Sequence, residues 1–161
     1  MKHRLPSSRF LLAAALCAVP MGGLAADEAT MITPNQLKWG DAPPSLPKGA
    51  KLAVLYGDPN KEGPFVFRLK VPANYKIAPH THPSGYTVTI LSGTPSVGMG
   101  EKVDTKAMHA LKAGSFHYLP AKTNHYWLMK GPTEMQVQGT GPFGITYANP
   151  ADDPEKMAAK K

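Results

Sequence analysis

Hydrophobic residues along this chain come in short runs that glycine or proline interrupts every few positions. The sequence holds 15 glycines and 17 prolines, and no long segment repeats its apolar residues with the 3.6-residue period of an amphipathic helix. Short runs of apolar and alternating residues between turn signals are typical of β-strands. Nine strands are predicted in this way: Lys51–Tyr56, Pro64–Val71, Tyr75–His80, Tyr86–Ser92, Thr94–Met99, Ser115–Leu119, His125–Met129, Thr133–Gly139 and Gly144–Ala148.

Segments outside these strands complete the predicted organisation. Residues 27–47 form an extended, proline-rich N-terminal arm. Within it, Met31-Ile32 and Leu37-Lys38-Trp39 either add an edge strand or pack on the domain at 48–150. Asp104–Leu111 is predicted as one or two helical turns with Asp104 as N-cap. Residues 151–161 form a C-terminal tail that frays from Glu155 onward. Many short strands without a lasting helix predict an all-β, single-domain jelly-roll barrel, since closure protects strand edges.

The first 26 residues are predicted to be a cleavable signal peptide that is not part of the fold. After a basic start, residues 10–19 form a short apolar stretch, and Ala25 and Ala26 supply small residues for cleavage. The apolar stretch is shorter than the about 20 residues that cross a bilayer, and no later segment approaches that length. We therefore expect a periplasmic or secreted protein without a membrane span.

Composition excludes several kinds of site. The only cysteine, Cys17, lies in the predicted signal peptide, so the mature domain has no thiol for a disulfide, a nucleophile or a cysteine-rich metal site. The formal charge is +7, but Lys2, Arg4 and Arg9 belong to the signal peptide, which leaves +7 less 3, or +4. The remaining basic residues are scattered, so no nucleic-acid partner is expected.

Three histidines carry the candidate chemistry. His80 and His82 are two positions apart, and in a strand this spacing directs both imidazoles to the same face. A third imidazole from a neighbouring strand would complete a triad able to hold a divalent transition metal, and His125 at the start of another predicted strand is the candidate.

The segment around the first two histidines resembles the first motif of the cupin superfamily. That motif runs glycine, five residues, His-x-His, three or four residues, glutamate, six residues, glycine. Here His80-Thr81-His82 is followed at that spacing by Tyr86 and then Gly93. Tyrosine therefore stands where cupins place an acidic ligand, and Asn74 stands where the motif opens with glycine.

The second cupin motif is matched by Gly114, Pro120 and His125, with Lys122 at its second glycine. The resemblance extends to small secreted bacterial single-domain cupins through Leu52–Pro59, Val97–Gly100 and Gly141–Ile145. It implies a double-stranded β-helix that holds one metal ion. The implied ligands are His80, His82 and His125, with Tyr86 as a fourth ligand or as a pocket residue.

Strand parity suggests further pocket residues. Trp127 and Met129 share the face of His125, while Val88 shares the face of Tyr86. These three residues either line the pocket or pack in the core. Gln138, on a late strand, is a candidate polar contact in the pocket. His109 and His117 have no partner at metal-binding spacing and are expected at the surface or rim.

Three functions are compatible with this pattern. The first is a metal-dependent enzyme, dioxygenase- or isomerase-like, acting on a small molecule through open coordination positions. The second is a module that binds or senses a metal or small ligand without turnover, and the third is a metal-free structural protein. Without a carboxylate, three neutral imidazoles favour zinc, iron, copper or nickel over harder ions. A homodimer formed through the arm is favoured over a monomer.

Overall fold

Two antiparallel sheets packed face to face form the body of the molecule. The computed structural model describes residues 29–159, so the predicted signal peptide lies outside the described residues. The strands are β1 (Gly40–Asp41), β2 (Lys51–Tyr56), β3 (Gly63–Val71), β4 (Tyr75–Thr81), β5 (Tyr86–Ser92), β6 (Ser96–Met99), β7 (His109–Ala110), β8 (Phe116–Leu119), β9 (His125–Met129), β10 (Thr133–Gly141) and β11 (Thr146–Tyr147).

The strand order is that of a jelly roll. The six-stranded sheet has the order β1-β2-β3-β10-β5-β8, and the five-stranded sheet has the order β11-β4-β9-β6-β7. Every paired strand runs antiparallel to its neighbour. The all-β jelly-roll prediction is thus confirmed, and each of the nine predicted strands is present in whole or in part.

The core lies between the two sheets, because alternate residues of each strand face inward. In β3, for example, Phe65, Phe67 and Leu69 are buried while the residues between them are partly exposed. Each fully buried side chain of this kind contributes about 1.5–3 kcal/mol. The inner faces of the other long strands add Ile77, Val88, Ile90, Val97, Trp127, Met129, Met135 and Val137.

The prediction of helical turns over Asp104–Leu111 is wrong. The Asp104 carboxylate accepts a hydrogen bond from the backbone N–H of Lys106 at 2.9 Å, which closes a local turn. The chain then enters β7, where Ala110 pairs with Ser96. Asp104 is therefore not a helix N-cap; its carboxylate stabilises a turn, and the residues that follow pair with a strand.

The C-terminal tail is more ordered than predicted. A 3₁₀ turn covers Pro150–Asp152, and helix α1 covers Pro154–Ala158. Asp153 caps this helix, since its carboxylate accepts from the N–H of Glu155 at 3.0 Å. Proline in the first helical turn is also favourable, so the prediction of a frayed end from Glu155 is wrong for residues 155–158.

The N-terminal arm packs on its own domain. β1 extends the six-stranded sheet by pairing with β2. Lys70 lies 4.2 Å above the Trp39 ring, and Leu46 packs against the core. Leu37 and Trp39 are half-buried, whereas Met31 and Ile32 are exposed, and the edge strand forms at Gly40–Asp41 rather than at either predicted segment. Within residues 29–159, no helix reaches the length and hydrophobicity that crossing a bilayer requires.

Candidate metal centre

The three predicted ligand histidines converge between the sheets. His80 near the end of β4 pairs directly with His125 at the start of β9, and His82 follows two residues after His80. Their ring centroids are 4.1 Å (His80–His125), 5.0 Å (His80–His82) and 5.5 Å (His82–His125) apart. All three residues are buried, with exposures of 2%, 1% and 8% for His80, His125 and His82. The even offset between His80 in β4 and His82 just after it therefore puts both imidazoles on the inner side.

Backbone carbonyls fix the orientation of each ring. Nδ1 of His80 lies 2.7 Å from the Ala78 carbonyl, and Nδ1 of His82 lies 2.6 Å from that of Gly144. Nδ1 of His125 is 3.0 Å from the Thr123 carbonyl. A carbonyl only accepts hydrogen bonds, so each Nδ1 carries the proton and each Nε2 keeps its lone pair. Metal-binding histidines are typically oriented in this way.

Electrostatics keep these lone pairs available at neutral pH. Burial is the main cause that lowers the pKa of His82 and of His125, in each case to about 4. Burial also lowers the pKa of His80 well below its ordinary value, and the neighbouring His125 and His82 lower it further. The three imidazoles are therefore neutral at pH 7, which is the form that binds a metal.

The size of the cluster fits a transition metal ion. One ring nitrogen from each histidine can be chosen so that all three lie within 4.8 Å of one another. Tetrahedral bonds of about 2.0–2.1 Å to nitrogen separate two ligand atoms by roughly 3.4 Å, so the cluster is close to binding dimensions. A cavity of about 60 Å³ adjoins His80 and His82, and this volume is enough for an ion with a bound water.

Tyr86 lies at the same point, in the position where cupins place a carboxylate. Its hydroxyl is 2.7 Å from Nε2 of His125, and because that nitrogen carries no proton the hydroxyl is the donor. Burial raises the pKa of Tyr86, while a side-chain hydrogen bond with Trp127 offsets part of the rise. In the structure Tyr86 is thus a neutral phenol that occupies the lone pair of one ligand histidine.

Comparison with known proteins identifies the family and the fold of the chain. The family model of DUF4437, a domain of unknown function, matches residues 24–146. The chain belongs to this family. No protein in the search of curated proteins matches the chain.

Solved structures show that this family member has the cupin fold. Polyketide cyclase RemF from Streptomyces resistomycificus is similar with a TM-score of 0.67 at 12% identity, over 82% of this chain and 94% of its own. An RmlC-like cupin from Shewanella frigidimarina gives 0.56 at 14%, over 71% and 91%. DMSP lyase DddQ from Ruegeria pomeroyi gives 0.55 at 15%, over 76% and 72%. At these identities the likeness establishes the fold alone.

Both replaced glycines of the cupin motifs keep the backbone conformation that favours glycine. Asn74 has φ 61° and Lys122 has φ 58°, in the left-handed region. The backbone N–H of Lys122 donates to the His82 carbonyl at 2.9 Å. This turn therefore ties the segment before His125 to the other ligand segment.

The predicted pocket residues divide into two groups. Val88 and Trp127 line the cavity beside the histidines. Met129 is fully buried but packs in the core outside the cavity lining. Gln138 is exposed, because in β10 the inward positions are Met135 and Val137. Gln138 therefore lies outside the pocket, while Met129 follows the second of its two alternatives and packs in the core.

His117 is a half-buried polar residue on the inward side of β8. It pairs with the inward-facing Val88 and lies edge-on to Trp127, at a centroid distance of 6.1 Å. Its Nε2 is the one buried side-chain polar atom without a hydrogen-bond partner among the described residues. The signal was its alternation with Phe116 and Tyr118, which are 63% and 56% exposed and so turn His117 inward. His109 is exposed, as expected.

Proposed function

We propose that this protein is a periplasmic cupin that binds one divalent transition metal ion and acts as an enzyme on a small molecule, with dioxygenase- or isomerase-like chemistry. His80, His82 and His125 are the proposed ligands. One observation carries the proposal: each Nδ1 is held by a backbone carbonyl, which leaves three buried, neutral Nε2 lone pairs for one ion. Zinc, iron, copper and nickel suit an all-imidazole set.

The protein would position the ion and the substrate and keep water away from both. An ion held by three imidazoles would offer open positions where an oxygen of a substrate is polarised. The walls of the cavity beside it are apolar apart from His80, His82 and Tyr86, so competing water is largely excluded. Tyr86 is the uncharged donor placed to give a proton at this point.

A specific observation supports non-catalytic capture of a metal or small ligand as the second candidate. Among the described residues that line the cavity there is no carboxylate, lysine or arginine. Proton transfer would therefore depend on Tyr86 or on the ligand histidines, and burial raises the pKa of Tyr86 above its ordinary range. A binding or sensing module needs no such group.

Metal binding is tested on purified full-length protein after dialysis against each candidate ion. We expect about one ion per chain by elemental analysis, the stoichiometry of a single three-histidine site, and loss of the ion in His80→Ala/His82→Ala. His109→Ala is the matched control, because His109 is exposed and away from the cluster. Full occupancy in the double variant would refute the site.

Turnover of small oxygenated substrates by metal-loaded protein distinguishes the enzyme from the binding module. This turnover should be absent in His125→Ala.

The periplasmic location rests on the basic, apolar and small-residue order of the first 26 positions. Fractionation of the cells and N-terminal sequencing of the native protein test it. The expected product is periplasmic and begins at Ala26 or Asp27. A cytoplasmic protein that retains Lys2 to Ala25 would contradict the proposal.

The homodimer stays a prediction. The arm that was expected to join two copies contacts its own domain through β1 and Leu46, so the arm gives no separate support for pairing. Analytical ultracentrifugation distinguishes a dimer of the 17.2 kDa chain from a monomer.

A further inference from the structure

A groove runs from the surface to the candidate metal centre. Its volume is about 440 Å³, within the roughly 300–1,000 Å³ typical of small-ligand pockets. The arm, strand β2, the turn at 57–60 and the segment at 143–145 form its walls. His82 and Phe143 belong both to this groove and to the smaller cavity, so the two spaces meet at a ligand histidine.

The walls of the groove are mainly apolar where it approaches the metal centre. Leu46, Leu52, Phe67 and Ile145 contribute hydrocarbon surface. The Phe143 ring stacks on His82 with a centroid distance of 4.2 Å and an interplanar angle of 6°. Such a surface suits a flat hydrocarbon body, which gains free energy by leaving water.

The charges of the groove argue against an anionic body. No lysine or arginine lines it among the described residues. Its two carboxylates, Asp41 and Asp58, are exposed and already paired with Lys51 at 2.7 Å and Lys61 at 3.3 Å. Positive charge would come only from the ion, because three neutral imidazoles leave both charges of a divalent metal uncompensated.

We propose, resting on the metal site proposed above, that the groove binds an uncharged apolar molecule with two adjacent enolic or phenolic oxygens. One or both oxygens would release a proton to the solvent and meet the metal as anions, which offsets the excess charge. The hydrocarbon body lies along Leu52, Phe67 and Phe143. Adjacent oxygens fit this site because three protein ligands leave the fourth position of zinc open, and zinc can expand to five-coordinate and so accept both oxygens.

The first test compares two isomers on zinc-loaded full-length protein by calorimetry. Phenylcatechol and phenylhydroquinone have the same composition and apolar body, but only phenylcatechol can place both oxygens on one ion. We expect phenylcatechol to bind at least about tenfold more tightly, a difference of about 1.4 kcal/mol, and metal-free protein to lose this preference. Equal affinities for the two isomers would overturn the chelation.

The second test places a charge in the groove. Val54 lines the groove and is 44% exposed, so Val54→Glu is expected to fold. The charged group should weaken phenylcatechol binding about tenfold. Val103→Glu is the matched control, since Val103 is 54% exposed and lies outside the groove lining. An unchanged affinity in Val54→Glu would overturn the groove as the binding site.

Zinc content distinguishes failure of the proposed metal site from failure of the proposed groove ligand. Both variants should retain the zinc content of the unmodified protein, because neither position is in the histidine cluster. If the unmodified protein holds no zinc or other transition metal, the proposed function fails and this inference fails with it. If zinc is fully bound and the isomers or the variants do not differ as expected, only this inference fails.

Discussion

Replacing Tyr86 with phenylalanine tests how the departure from the cupin motif affects the metal centre. In the metal-free protein the Tyr86 hydroxyl donates to Nε2 of His125. A metal that binds His125 needs the same lone pair and must displace this hydrogen bond. Tyr86→Phe removes the bond in advance, so we expect the variant to bind zinc more tightly than the unmodified protein.

The magnitude follows from one buried hydrogen bond. The bond between Tyr86 and His125 is 2.7 Å long and lies among buried groups, and its loss leaves a buried acceptor unpaired. Such a loss costs about 1–2 kcal/mol. This free energy should lower the free energy of unfolding of the metal-free variant. It should also increase the metal affinity of the variant by the same amount, which is roughly five- to thirtyfold. Agreement between the two values is part of the prediction.

Urea unfolding of chelator-treated protein gives the first value, and competition with a zinc-binding dye gives the second. Tyr75→Phe is the matched control. Its hydroxyl is also a donor in a partly buried hydrogen bond, to the Pro47 carbonyl, and Tyr75 pairs with Met129 away from the histidines. This variant should lose stability without a change in zinc affinity.

One result would refute the reasoning about Tyr86. If the residue binds the ion as a phenolate, Tyr86→Phe will lose metal affinity. In a copper- or iron-loaded sample it will also lose a phenolate-to-metal charge-transfer band. A fall in affinity together with the loss of that band would make Tyr86 a fourth ligand.

Two further perturbations test electrostatics and packing. Metal-free protein should lose stability as the pH falls from 6.5 to 4. In this range the two histidines bind protons in the unfolded chain but stay neutral in the folded protein, where the pKa values of His82 and His125 are about 4. The loss at pH 5 is about 2 kcal/mol for each residue, and an unfolding midpoint that does not change between pH 7.5 and 5 would contradict the assigned burial. Gly98→Ala should destabilise the fold by about 1–3 kcal/mol, since an added Cβ would lie 2.2 Å from the Tyr126 ring. Gly40→Ala, with no atom within 4 Å, should change the unfolding midpoint little, and equal effects would refute the packing argument.

The parts of the site that depend on local periodicity were predictable. His80 and His82 share a face because strand side chains alternate, and this holds wherever the strand lies in the fold. The same rule, applied to β10, places Met135 and Val137 inside and Gln138 outside. Gln138 alternates with these two apolar residues, so its amide lies on the solvent side of β10.

The parts that depend on contacts between distant segments were not predictable from local pattern. The resemblance to the cupin motifs supplied His125, but its direct pairing with His80 depends on the register of β4 against β9. The groove joins the arm, β2 and the segment at 143–145, which are far apart in sequence. The segment after Asp104 ends in β7 for the same reason, because β7 forms by pairing with β6. Local chemistry can identify a capping residue or a turn, while the partner of a strand is set by the whole fold.

The tyrosine at the position of the motif's carboxylate connects the proposed metal centre with the proposed ligand. A glutamate beside three imidazoles would cancel one charge of a divalent ion, whereas a neutral Tyr86 cancels none. The buried centre then gains more from an anionic oxygen brought by a ligand, since charge is costly to leave uncompensated in an apolar surrounding. Among residues 29–159, no lysine or arginine lines the groove that leads to it, so none competes for that oxygen. Replacing Tyr86 with glutamate should therefore increase metal affinity and weaken the binding of phenylcatechol. A variant that binds both the metal and phenylcatechol more tightly would contradict this account.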